Sequence, residues 1–200
     1  NETRYVYGGG TTPTVQNVID FVTIATTGDA TNFGDLTEKR FALTAFGSPT
    51  RGIYAGGATP TIVNTIDYIT IASAGDATDF GDVTSDDTRN PMGVSSATRG
   101  VIAGGQTPAP STGTNAIDLL TIATTGNTTD FGDLTDGRRR GTGLSNSIRG
   151  VFAGGYDPSA KNVIDYITIA TTGNAQDFGD TASTVHRLGT GASDSHGGLS

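Results

Sequence analysis

The sequence repeats one unit four times, and this repeat limits the fold more than any other feature. The clearest copy contains Arg149-Gly-Val-Phe-Ala-Gly-Gly155, then Asn162-Val-Ile-Asp-Tyr-Ile-Thr-Ile169, then Asp177-Phe-Gly-Asp180. Double glycines begin at Gly9, Gly56, Gly104 and Gly154, so the period is close to 50 residues. Such units must share a core with their neighbours to be stable. The sequence therefore predicts a single domain over residues 1–200, with repeats at about 4–50, 51–98, 99–148 and 149–195.

Each unit is predicted to form four short strands. In the second unit, residues 51–57 form a strand that ends in glycines, and residues 64–72 are rich in β-branched and aromatic residues. A third strand is expected at 78–84 and a fourth at 93–97, with counterparts of the fourth at 41–45 and 141–145. No segment has a sustained apolar period of 3.6 residues. The prediction is an all-β protein.

The long strand carries apolar side chains on both faces, as Ile164 and Ile167 illustrate. A sheet with one face in water would alternate cleanly between polar and apolar residues, so each sheet is expected to pack between two others. The strand before each repeated arginine is built from small residues, as expected near a ring axis. We therefore predict a four-bladed β-propeller, closed by pairing a strand near residues 4–9 with a C-terminal strand at about 187–194. A segment cut from a longer array is the alternative.

These motifs resemble the kelch type of β-propeller repeat. The resemblance rests on the strand-closing double glycine, the aspartate of the next strand, the aromatic of Asp177-Phe-Gly-Asp180 and the arginine before each unit. Phenylalanine stands where kelch repeats usually have tryptophan, which this chain lacks. The string from Ile164 to Asp180 also resembles repeat proteins of marine cyanophages, mostly known as virion or tail-associated structural proteins. This second resemblance implies a setting on a phage particle, and we expect the phenylalanines to be buried between blades.

Composition excludes some functions. The net charge is −8, which argues against nucleic-acid binding because that affinity comes mostly from neutralising phosphates. The chain has no cysteine and no apolar run of the roughly 20 residues that a membrane helix needs. Because the sequence starts at Asn1 and its single methionine is Met92, we expect that flanking chain was removed.

Four residues are the candidate binding residues: Arg51, Arg99, Arg149 and Tyr156. A set of guanidinium groups on one rim could bind carboxylates or phosphates. The structural alternative, which repetition in every unit favours, is that each arginine pairs with an aspartate such as that of Phe-Gly-Asp and joins neighbouring blades. Tyr156 could stack on a sugar.

No catalytic, metal or cofactor site is predicted. The acidic turn that contains Asp76, Asp79 and Asp82 recurs in each repeat and could hold Ca²⁺, but Asx side chains also cap turns, and this is the interpretation we favour. The two histidines, His186 and His196, recur in no other repeat, and no nucleophile arrangement accompanies them. Copper oxidase chemistry, which some kelch-type propellers carry, would need His, Tyr and Cys ligands. We expect that the protein is not an enzyme.

The loops after the double glycines differ in length and contain five of the seven prolines. They span residues 11–14, 58–61, 106–113 and 156–160. Loops on a rigid scaffold are the usual place for recognition. We therefore expect a virion-associated structural or host-recognition module on a virion surface or outside cells, whose partners are other virion proteins or a host surface glycan or protein. The alternative is a carbohydrate-binding, lectin-like propeller.

Overall fold

The structure is a computed structural model that describes residues 3–85, 88–183 and 190–192. This part of the chain contains seventeen strands and no helix, which confirms the all-β prediction. Accordingly, no helix within it has the length and apolar character needed to cross a membrane.

Four antiparallel sheets follow one another along the chain, and we number them 1 to 4. Sheet 1 contains β1 (Arg4–Gly8), β2 (Val18–Thr23) and β3 (Thr31–Asp35). Sheet 2 contains β4 (Thr44–Gly47), β5 (Arg51–Ala55), β8 (Thr65–Thr70) and β9 (Thr78–Asp82), with a ribbon of β6 (Ala58–Thr59) and β7 (Thr61–Ile62) between β5 and β8. Sheet 3 contains β10 (Met92–Ser95), β11 (Arg99–Ala103), β12 (Ala116–Thr121) and β13 (Thr129–Asp133). Sheet 4 contains β14 (Thr142–Ser145), β15 (Arg149–Ala153), β16 (Val163–Thr168) and β17 (Gln176–Asp180).

The four sheets fit the predicted four repeating units, but the small-residue strand begins later than expected in the first of them. It was predicted at 41–45 and lies at Thr44–Gly47, where it pairs with the arginine strand that follows. The residue two positions before each of these strands has a positive φ: 57° at Ala42, 57° at Asn90 and 62° at Arg140. The chain therefore turns at these residues before it can extend, and the strand starts only after the turn.

Sheet 1 has three strands among the described residues. Its predicted fourth strand, at about 187–194, falls mostly outside them, so the pairing of the two chain ends stays a prediction. Within the described stretch 190–192, Gly191 lies against the side chain of Leu144. Gly143 lies in the same way against Val94 of the preceding sheet. The chain after sheet 4 therefore comes to the position where a further small-residue strand would lie.

The Phe-Gly-Asp motif is explained by how neighbouring sheets approach each other. Its glycine lies at a register shift of the sheet and has a positive φ, which is 144° at Gly132. A Cβ atom at Gly132 would lie 2.6 Å from the carbonyl oxygen of Gly173, in the turn of the next sheet. Only glycine allows another backbone to come this close.

Three apolar clusters hold the sheets together, one between each pair of neighbours. Sheets 1 and 2 bury Ile19, Phe33, Leu36, Tyr54, Ile69 and Ile71 between them. Phe33, Phe80 and Phe131 are 3%, 2% and 2% exposed, which confirms their predicted burial. The prediction is wrong for Phe178, which is 56% exposed because no described sheet covers the outer face of sheet 4.

Candidate functional site

The variable loops lie together at one end of the sheets. In each sheet one strand, β1, β5, β11 or β15, runs from the repeated arginine toward the double glycine, so all four loops leave the sheets at the same end. The hairpin turns, for example residues 71–77, lie at the opposite end. We call the end that carries the loops the loop end, and the other the hairpin end.

The loops are fixed at their base and exposed at their tips. The first residue after the glycines, such as Ala58, exchanges two backbone hydrogen bonds with the connector before the same sheet, here with Phe41, at 3.0 and 3.2 Å. Gln106 and Tyr156 make the same exchange with Arg89 and Arg139. Most residues at the tips of the loops are exposed. The loop end therefore offers exposed side chains on an anchored backbone, as recognition loops do.

Two neighbouring loops contact each other. The backbone N–H of Gly113 donates to the carboxylate of Asp157 at 3.0 Å, and the guanidinium of Arg139 donates to the carbonyl of Ser111 at 2.5 Å. The loops of sheets 3 and 4 thus form one continuous surface. A ligand larger than one loop could contact both.

Tyr156 lies at the loop end, where it was predicted to bind a sugar. It is half-buried, and the guanidinium carbon of Arg139 lies 5.5 Å from its ring centre. This cation–π contact occupies part of the ring surface that a sugar would need.

The three predicted arginines lie at the hairpin end, away from Tyr156. Arg51 stacks 4.4 Å from the ring centre of Tyr68 and donates to the carbonyl of Ile122 in the next sheet at 2.9 Å. Arg4 and Arg99 donate in the same way, to the carbonyls of Ile71 and Ile169 at 2.8 and 3.1 Å. The arginines therefore join one sheet to the next, but through backbone carbonyls and not through the Phe-Gly-Asp aspartates as the structural alternative expected. The long arginine side chain reaches a backbone carbonyl oxygen of the next sheet, so the contact requires no acidic side chain as a partner.

Arg149 differs from the other arginines. Its guanidinium carbon lies 4.7 Å from the ring centre of Tyr166, but the side chain is exposed, and no hydrogen bond to it is present among the described residues. Its sheet is the last described one, so no following carbonyl is in reach.

The acidic turns also join sheets. Asp76 accepts a hydrogen bond from the backbone N–H of Asp35 in the preceding sheet at 3.0 Å. Asn127 and Asn174 accept equivalent bonds from Asp82 and Asp133 at 3.0 and 3.1 Å. An amide oxygen accepts this hydrogen bond as well as a carboxylate does, which explains why some repeats have Asp and others Asn at this position. Within the described ranges, no three His, Cys, Asp or Glu side chains come together as metal ligands would.

A buried ion pair, which sequence reasoning missed, occurs at two of the three contacts between sheets. Arg40 pairs with Asp67 at 2.8 Å and Arg138 with Asp165 at 2.7 Å, and all four side chains are fully buried. Thr37 and Thr135 add hydroxyl hydrogen bonds to these carboxylates, at 2.6 and 2.5 Å. Burial lowers the pKa of Arg40, and the nearby Asp67 opposes this shift. The available signal was the aspartate of Ile-Asp, which recurs in all four repeats.

At the third contact the cation is absent. Asp118 is 3% exposed and accepts hydrogen bonds from hydroxyls, including Thr128 at 2.9 Å and the closely approaching Ser85. Thr88 takes the place of the arginine and donates to the carbonyl of Gly104 at 3.0 Å. No described cation pairs with Asp118, and burial raises its pKa. These hydroxyl hydrogen bonds oppose the shift only in part.

A cavity of about 660 Å³ lies beside β1. Its lining includes β1, the first strands of the other three sheets, and Gly191. The rings of Tyr5 and Tyr7 stack at its edge, with their centres 5.9 Å apart. Neither a carboxylate nor a histidine is among its described lining residues. His186 and His196, for which no role was predicted, lie outside the described residues.

No protein-family model matches this chain, and no curated protein matches it. The resemblances to kelch repeats and to marine cyanophage repeat proteins therefore stay predictions.

Proposed function

We propose that the protein is a non-enzymatic, virion-associated module that displays variable loops on a propeller scaffold. The four sheets act as kelch-like blades, and a strand from the C-terminal segment pairs with β1 to close the ring. The module is exposed on the surface of a phage particle or outside the cell, and its loops contact a host surface or another virion protein.

One observation carries this proposal: contacts between sheets are repeated, whereas the loop end is not. The arginine-to-carbonyl bond and the Asx-to-backbone bond recur at every contact between described sheets. The loops differ in length and content, and two of them join into one surface. A fixed scaffold with varied loops is typical of recognition modules.

The absence of catalysis is part of the proposal. The buried ionisable groups, such as Asp67 and Asp165, are engaged in holding sheets together. The cavity beside β1 is lined by glycine, serine and apolar residues, with Arg4 and tyrosines as its ionisable groups. None of these forms a nucleophile with a neighbouring base.

Multivalent display tests the function, because single weak contacts gain strength through copy number. Beads that carry the intact protein are mixed with marine cyanobacterial cells, beside beads whose protein has residues 107–112 and 157–159 replaced by Gly and Ser. The proposal expects that only the intact loops retain cells. Equal retention by both kinds of bead contradicts host recognition and leaves an architectural role. A glycan array run with the same beads tests the lectin-like alternative.

A further inference from the structure

We propose that sheets 1 and 4 expose the two halves of one interface, through which a second copy of this chain binds head to tail. We call the exposed surface of sheet 1 around Tyr7 and Ile24 the leading face. The exposed surface of sheet 4 around Phe178 is the trailing face. The inference rests on the proposed propeller scaffold, but it replaces closure within one chain by a contact between sheets of two copies.

The leading face is apolar at positions that are buried in every other sheet. Ile24 is 58% exposed, whereas its counterparts Ile71, Ile122 and Ile169 are 5%, 1% and 1% exposed. Tyr7 is 43% exposed, and its counterparts are buried at 3% or less: Tyr54, Ile102 and Phe152. Each counterpart is covered by the sheet before it. Within the described ranges, no sheet covers the leading face in this way.

Among the described residues, no sheet follows sheet 4 to cover the trailing face. Phe178 is 56% exposed, against 2–3% for the phenylalanines of the other three motifs. A Cβ atom at Gly179 would meet nothing within 4 Å, whereas one at Gly132 would clash with the next sheet. The sequence has kept this glycine although no described backbone approaches it.

The backbone groups of the two faces are complementary. At the three internal contacts a turn glycine donates its N–H to the phenylalanine carbonyl, each at 2.7 Å: Gly75 to Phe33, Gly126 to Phe80 and Gly173 to Phe131. The remaining members of this series are the N–H of Gly28 on the leading face and the carbonyl of Phe178 on the trailing face. Neither makes this bond within the described part of the chain.

Side chains repeat the same complementarity. Arg149 on the trailing face lacks the carbonyl that Arg4, Arg51 and Arg99 each find on the next sheet. The carbonyl it would match is that of Ile24. Asp20 on the leading face is the one aspartate of the four Ile-Asp pairs that is not buried. The exposed apolar side chains, the backbone groups and the charged side chains of the two faces therefore all match the same contact, in which sheet 4 of one copy packs against sheet 1 of another.

A second copy fits better than the chain's own opposite end. If three identical contacts turned the chain far enough to close a ring of four sheets, Ile24 and Phe178 would already cover each other, and both are exposed. A head-to-tail contact between copies closes when its rotation allows and otherwise continues as a filament. Two copies would give eight sheets, which is within the usual range for propellers.

Tyr5 opposes this contact at one point. Its counterparts are Gly52, Gly100 and Gly150, and a Cβ atom at Gly150 would lie 2.7 Å from Val94 of the preceding sheet. In the proposed contact, Tyr5 would meet the partner's Leu144 and must turn into the cavity beside β1. We therefore expect association to be weaker than the contact between two internal sheets.

The inference is tested by measuring molar mass with light scattering after size-exclusion chromatography. The samples are the wild type, two variants that each carry a new charge, and a mixture of the two variants. Wild-type protein is expected to gain, as its concentration rises, a species of at least twice the 20.3 kDa chain mass. Ile24→Asp and Phe178→Asp should each remain at the single-chain mass and stay folded by circular dichroism, because both side chains are exposed. Mixing the two variants should restore a species of twice the chain mass, since each keeps the face that the other has lost. Ile148→Asp, also at an exposed position but on neither face, is the matched control and should associate like the wild type.

Other outcomes overturn the inference. Wild-type protein that stays at the single-chain mass at every concentration excludes the second copy. If Phe178→Asp also lowers the stability of such a monomer, the ring closes within one chain, and the proposed function stands while the inference fails. A mixture that does not associate, beside a wild type that does, contradicts the head-to-tail geometry. Cell binding by multivalent beads depends on the loops and is a separate readout.

Discussion

Replacing Asp67 with asparagine removes one charge of a buried ion pair and leaves the other. The carboxylate of Asp67 lies 2.8 Å from the guanidinium of Arg40, and both side chains are fully buried. The same substitution at Asp118 removes a buried carboxylate that has hydroxyl donors and no described cation. The two substitutions are chemically identical, so their difference measures what the arginine contributes.

The expected costs differ several-fold. Breaking a buried pair from one side costs about 3–5 kcal/mol, because an uncompensated charge remains in the interior. Asp118→Asn leaves no such charge, and its amide oxygen can still accept the hydrogen bond from Thr128. Its cost should not exceed the roughly 1 kcal/mol that one hydrogen bond contributes net.

Urea denaturation followed by far-ultraviolet circular dichroism gives both free energies of unfolding at neutral pH. The double replacement of Arg40 by Met and Asp67 by Leu is the control, since exchanging a whole buried pair for apolar residues is often neutral or stabilising. A cost for Asp67→Asn equal to that of Asp118→Asn would refute the reasoning. So would a double replacement that costs more than Asp67→Asn alone.

The buried carboxyl of Asp118 should also make the free energy of unfolding depend on pH. Burial raises its pKa, so the folded protein binds the proton more readily than the unfolded chain, whose aspartate pKa is about 3.9. The protonated carboxyl favours folding, and this contribution is lost as pH rises through the raised pKa. Compared with Asp118→Asn, the wild type should therefore gain stability as pH falls from neutral toward 4, about the ordinary aspartate pKa. A stability difference that does not vary with pH would contradict the assignment.

Three further predictions concern contacts between sheets, and two of them compare a substitution with a matched control. Phe131→Ala should lower the free energy of unfolding by about 3–5 kcal/mol. In monomeric protein, Phe178→Ala should lower it by no more than about 0.5 kcal/mol, because Phe178 is exposed. A cost below about 1 kcal/mol for Phe131→Ala would contradict the burial of Phe131. Gly132→Ala should cost about 1–3 kcal/mol more than Gly179→Ala, because both glycines have a positive φ but only Gly132 faces another backbone; equal denaturation midpoints would contradict this. Tyr5→Gly should strengthen self-association in sedimentation experiments, and weaker association would contradict the proposed position of Leu144.

The repeat made much of the fold predictable from sequence. A period near 50, β-branched strands and glycine turns predicted four repeating β units. The arginine at each repeat was named as a candidate binding residue, and a contact between blades was the alternative that its repetition favoured. The burial of Phe33, Phe80 and Phe131 followed from the same reasoning. The exposure of Phe178 did not follow, because a repeat pattern does not show whether another sheet covers the fourth copy.

Contacts between distant segments were not predictable. Arg40 and Asp67 are 27 positions apart and belong to different repeats, and one of the three connectors replaces the arginine with Thr88. The requirement for glycine at Gly132 depends on the backbone of Gly173, which only the packed sheets reveal. For the candidate site, variation in loop length located the loops. The predicted strand from Arg149 to Gly155 also separates Arg149 from Tyr156 by the length of a strand, although both were grouped as candidate binding residues.

Photo-cross-linking from single positions tests most directly whether the loop end is the recognition surface. A photoreactive amino acid is placed at Ser111 or Ser159 in the loops, and at Ala74 or Thr125 at the hairpin end; all four positions are exposed. The protein is displayed on beads, mixed with marine cyanobacterial cells and irradiated. The account predicts cross-links to a cell-surface molecule from Ser111 and Ser159 and none from Ala74 and Thr125. Cross-links from the hairpin end alone would contradict it.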